Sequence, residues 1–136
     1  MRAWRRLQER SGLLRWLPAA GWMALIFVLS AQPDLPHPAS GWMDLLISST
    51  AHVFLFGLLA LLLGWAMAPY RWGLPLALLL TVLYALSDEF HQAFVPGRHP
   101  DPLDLACDAL GAVLGLALWA WWRRHASGLG RNEAGG

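Results

Sequence analysis

The chain has 136 residues, 57% of them hydrophobic and only 14% charged, with nine Trp and a formal net charge of +1. So little charge cannot wet a surface over so much apolar material, which excludes an ordinary soluble domain and a disordered chain and leaves one all-α membrane unit. The lone cysteine, Cys107, excludes an intrachain disulfide and a thiolate zinc site.

An Arg-rich lead over 1–15 precedes charge-free runs at 16–33, 45–70, 72–87 and 109–122. A helix needs ~20 residues to cross ~30 Å of hydrocarbon, so the first two runs suffice alone and the last two are short. The third must extend through Asp88, Glu89, His91 and Gln92, and the fourth must begin near Leu103 and take in Asp104 and Asp108. The expected helices are 16–31, 45–67, 72–94 and 103–122, forming a polytopic four-helix domain over 16–122. The prolines of Gln32-Pro33-Asp34-Leu35-Pro36-His37-Pro38 predict an extended connection, and Pro96-Gly97 predicts a tight turn. Pro100 and Pro102 constrain the start of the last helix, and 123–136 reads as a tail, Gly-rich and disordered from Ala126. A basic lead, an apolar stretch and Leu29-Ser30-Ala31 also fit a cleaved signal peptide. A retained helix is favoured, because the run is long enough to span and the lead is long for a signal.

All ten basic residues are Arg, and nine of them (Arg2, Arg5, Arg6, Arg10, Arg15, Arg71, Arg123, Arg124 and Arg131) fall on one side of the expected spans. By the positive-inside rule that side is cytoplasmic, giving N-in and C-in. Trp16, Trp65, Tyr70, Trp72, Trp119, Trp121 and Trp122 gather at the same boundary, as amphipathic rings at headgroup depth do. The acids Asp34, Asp44, Asp88, Glu89, Asp101, Asp104 and Asp108 lie toward the outer face, where Arg98 is the only cation.

Counting ~1.5 Å of rise per residue places His52 about 12 Å below the outer start of the second helix, Asp108 about 9 Å below that of the fourth, and Asp88 and Glu89 ~24 to 26 Å up from Trp72. His52, Asp88, Glu89 and Asp108 therefore reach similar depth. Asp104, Asp108, Gly111 and Gly115 form one helical stripe, acids above and close-packing glycines below, with Glu89 and Gln92 able to supply the opposing face.

Ser87-Asp88-Glu89-Phe90-His91-Gln92-Ala93-Phe94-Val95-Pro96-Gly97-Arg98, followed by Asp104, Asp108, Gly111 and Gly115, resembles the signature of the VanZ-like family of small bacterial membrane proteins. Ser30, Gln32 and Pro33 ending the first helix, and Asp44 followed by His52 in the second, extend the resemblance over about residues 22–122. Leu45 stands where members often carry Lys, and Asp108 where they often carry Asn, which makes this cluster more acidic. The resemblance implies four transmembrane helices in a bacterial cytoplasmic membrane and a link to glycopeptide (teicoplanin) resistance through the member that named the family. It implies no reaction.

The candidate ligand-binding cluster is His52, Asp88, Glu89, His91, Gln92, Arg98, Asp104 and Asp108, with Gly111 and Gly115 as packing residues. Charge arithmetic predicts that Arg98 folds back over Glu89 and Asp104 as a bidentate ion pair. His52 reads either as a hydrogen-bonded core histidine or as a proton-handling group. Asp88-x-x-His91 with Asp104 and Asp108 is a weaker candidate for a divalent cation, and neither metal nor cofactor is expected. Nothing points to nucleic acid, and the oligomeric state is open. The favoured function is a non-catalytic envelope module that binds an anionic lipid or lipid-linked cell-wall intermediate at the outer leaflet. The alternatives are a membrane-embedded enzyme with Glu89 or Asp104 as general acid or base, and a small proton-coupled transporter or channel subunit.

Overall fold

The computed structural model describes residues 12–33 and 42–132, with the side chains of Asp44 and of 126–132 outside that description. The chain forms α1 (Leu17–Ser30), α2 (Trp42–Ala66), α3 (Gly73–Gln92) and α4 (Pro102–Asn132), with no strand among the described residues. All four carry spans long and apolar enough to cross a membrane, the first running Gly12–Ser30 once its leading turn is included. This is an all-α, multi-pass membrane protein. Most of the expected proline-rich connection, from Asp34 onward, lies outside the described residues.

Local chemistry explains the boundaries. Pro18 sits in the first turn of α1, where its missing N–H costs no helical hydrogen bond. The Val95-Pro96-Gly97-Arg98 turn closes through Arg98 N–H to Val95 O at 3.1 Å, with Gly97 at φ 82°, the left-handed position that a type II turn reserves for glycine. Asp101 then caps α4, its Oδ1 accepting from Leu103 N–H at 2.8 Å, with Pro102 as the first helical residue. The end of α4 differs from the expected 122: the helix continues to Asn132. Arg123-Arg124-His125 does not break it, because Arg is a good helix former and polarity alone terminates nothing. The expected tail thus overlaps α4 as far as Asn132 and lies beyond the described residues from 133.

The helices assemble around α2. Phe56, Leu59, Ala60 and Leu63 of α2 are buried against Ile26, Ala77, Ala85, Ala112 and Leu116. The most extensive contact is between α2 and α4, and glycines make it close. A Cβ added at Gly111 would collide with Val53 O and one at Gly115 with Gly57 O, while a Cβ at Gly57 would lie 3.1 Å from Gly111 O. Lipid gives helices no hydrophobic reason to associate, so such backbone-to-backbone fit is what holds them. Leu25, Phe27, Val28, Leu79, Leu83, Leu114 and Leu118 face outward, as a lipid-facing surface requires.

One end of the bundle is aromatic and basic. Arg15 lies over the Trp65 ring at 5.2 Å and Arg71 over Trp72 at 5.4 Å, and Trp119 stacks on Trp122 at 5.2 Å. The opposite end carries the acids.

Candidate functional site

Two linked groups of polar side chains fill the acidic end. In the first, Asp88 of α3 is 4% exposed, and its Oδ2 accepts from Ser30 Oγ–H of α1 at 2.7 Å and from Gln92 Nε2–H one turn on at 3.0 Å. The i, i+4 spacing puts Gln92 directly above Asp88. Ser30, the last residue of α1, thereby ties the first helix to the third.

In the second group, His52 of α2 stands between two carboxylates of α4. Its Nδ1 is 2.8 Å from Asp108 Oδ1, and its Nε2 is 3.6 Å from Asp104 Oδ2. At 2.8 Å a proton must lie between nitrogen and oxygen, since two lone pairs would repel. Asp104 and Asp108 are one turn apart and so present both oxygens to the same neighbour. Glu89 of α3 completes the group: its Oε2 accepts from Asp101 N–H at 2.9 Å, which pins the α3–α4 connection to the head of α3. Three carboxylate oxygens, Asp88 Oδ1, Glu89 Oε1 and Asp108 Oδ2, are buried with no hydrogen-bond partner among the described residues. Unpaired buried acceptors are costly, and in native structures each calls for a reason.

Two sequence expectations need correction. Arg98 makes no ion pair with Glu89, Asp104 or any other carboxylate among the described residues; His52 takes Asp104 and Asp108 instead. Charge arithmetic favoured the only outer cation, whereas the imidazole is already held inside by α2 and needs no chain reversal to reach the acids. The proposed grouping of Asp88 and His91 with Asp104 and Asp108 also fails. Asp88 is engaged by Ser30 and Gln92, and His91 lies flat on Phe27 of α1, ring centroids 4.4 Å apart. The sequence reading counted Ser30 among the residues that carry the resemblance but left it out of the candidate cluster, although ~14 residues of rise from Trp16 put it ~21 Å up, close to Asp88. It also left out His99, which nothing in the local pattern marks.

Between α1, α2 and the α3–α4 connection lies a cavity of about 390 Å³. Its lining combines the apolar Ile26, Leu29, Ile47, Leu55 and Phe56 with the polar Ser30, His52, Asp88, Arg98, His99 and Asp104. A lining of both kinds can take a molecule with an apolar chain and a polar head, with His52 placed to give or take a proton.

The VanZ/LLP1 family model matches residues 5–123, so the chain belongs to that family. No curated protein and no solved structure matches it.

Proposed function

We propose that this VanZ/LLP1 member is an envelope module that binds the phosphate-bearing head of an anionic lipid or lipid-linked cell-wall intermediate. In this reading both termini face the cytoplasm, and the cavity opens in the outer leaflet of the bacterial cytoplasmic membrane. The observation that carries the reading is a cavity lined by both apolar side chains and polar ones, Arg98 among them. A guanidinium matches phosphate oxygens in bidentate fashion, and Arg98 has no carboxylate partner among the described residues to compete for it. The family's tie to glycopeptide resistance fits a protein that handles such intermediates. The test is lipid mass spectrometry of the full chain purified in mild detergent. Anionic phospholipid or polyprenyl phosphate should be enriched several-fold over bulk membrane in the wild type and return to bulk in Arg98→Ala. A wild-type profile equal to bulk membrane would overturn the reading, and the headgroup recovered tells a bilayer lipid from a cell-wall intermediate.

A second reading is favoured by one feature, the close pairing of His52 and Asp108 beside the free Oε1 of Glu89. An imidazole oriented by a carboxylate is the usual form of a general base, and acting on a lipid-borne substrate it would make the protein an enzyme. Cells carrying Glu89→Gln should then accumulate a lipid intermediate; unchanged levels of every lipid-linked species would sink it.

A further inference from the structure

We propose that His52, Glu89 and Asp108 hold one divalent transition-metal ion of the Mn2+ or Zn2+ class. The three residues come from α2, α3 and α4, and one ligand atom from each lies within 4.8 Å of the other two. Nitrogen and oxygen ligands ~2.1 Å from a shared ion stand ~3.0 to 3.6 Å apart at neighbouring positions, so the three side chains must draw in by up to about 1 Å to close the site. A second observation points to a missing positive group. Glu89 is 7% exposed and Asp108 1%, and each keeps one buried carboxylate oxygen, Oε1 and Oδ2, without a partner among the described residues. Oxygens this deep are left bare where something else is to occupy them.

The surroundings suit a cation. Asp101 N–H fixes Glu89 by its other oxygen, leaving Oε1 oriented. Asp104 Oδ2, 3.6 Å from His52 Nε2, adds a further negative group, and among the described residues no Arg forms an ion pair with any of these acids. Donor type sets the metal class. One imidazole disfavours Ca2+ and Mg2+, which prefer all-oxygen shells, and two carboxylates without thiolate disfavour Cu(I). Three protein ligands leave positions open, as in reactive rather than structural sites. Of the three ligands His52 lines the cavity, with Asp104 beside it, so the site adjoins that space.

The test uses the full chain in detergent, stripped of lipid and chelated, then given Mn2+ alone. One Mn2+ should bind per chain, seen by metal analysis and electron paramagnetic resonance, with a nitrogen coupling from the His52 ring and displacement by Zn2+. Glu89→Gln and Asp108→Asn should each weaken binding ~10-fold or more. Tyr84→Phe, which removes only a hydroxyl bonded to Met23 O, should leave it unchanged. Substoichiometric uptake of both ions, or bound Mn2+ without nitrogen coupling, would overturn the site. If the carboxamide variants do not fold, the nitrogen coupling in the wild type decides alone. Because the probe is metal without lipid, Arg98→Ala separates this site from the phosphate reading: it should lose lipid and keep the ion.

Discussion

Two helices reach the centre of this molecule by different means. α4 lies along α2 on a seam of glycines, Gly57 against Gly111 and Gly115, and is joined to it again where His52 meets Asp104 and Asp108. α1 has no such seam. It is held at separated points: Trp22 Nε1–H to Leu55 O at 2.9 Å, Tyr84 O–H to Met23 O at 2.6 Å, Ser30 to Asp88, and the Phe27–His91 stack. Continuous backbone fit resists any change in spacing, whereas point contacts allow one helix to tilt while the others stay. The cavity borders α1, so the wall able to adjust is the loosely held one.

The contrast can be broken at the seam first. Gly115→Val places a branched side chain against Gly57 O and should cost at least about 3 kcal/mol in a detergent-unfolding titration, with the α2–α4 pair separating. His52→Leu strands Asp108 and should cost about 3 kcal/mol, whereas His52→Leu with Asp108→Leu should recover most of that loss. The clasp is weaker. Ser30→Ala should cost about 1.5 kcal/mol and raise hydrogen exchange across α1 while leaving α4 protected. Tyr84→Phe should cost only about 0.6 kcal/mol, the usual worth of an interhelical hydrogen bond in a membrane. Arg98→Ala should change stability by less than about 0.5 kcal/mol; a larger loss would mean that the arginine clamps the acids after all.

What the sequence made legible follows from periodicity and depth. Asp104, Asp108, Gly111 and Gly115 share a stripe because 3.6 residues make a turn, and that arithmetic needs no neighbour to be known. The number and placing of the four spans followed from runs without charge, but the end of α4, ten residues past the expected 122, did not. Gly57 was hidden, since a glycine within a leucine-rich run carries no sign of what lies across from it. Ser30 was marked by the resemblance, but its role was hidden for a similar reason: one hydroxyl at the end of an apolar helix gains meaning only once Asp88 is opposite. The Arg98 expectation went astray because it summed charges and ignored reach. His52, on a rigid helix, was nearer to the acids than any turn could bring the arginine.

The length of α4 has a practical consequence. Its 31 residues measure ~46 Å, while the hydrocarbon core is ~30 Å thick. A helix beginning at Pro102 beside the acids therefore stands clear of the aromatic end by up to ~16 Å, less if it tilts. It forms a stiff post beyond the aromatic end. A fiducial domain spliced onto that post in continuous helical register would inherit the orientation of α4, giving so small a membrane protein the rigid external landmark that particle alignment in electron microscopy requires.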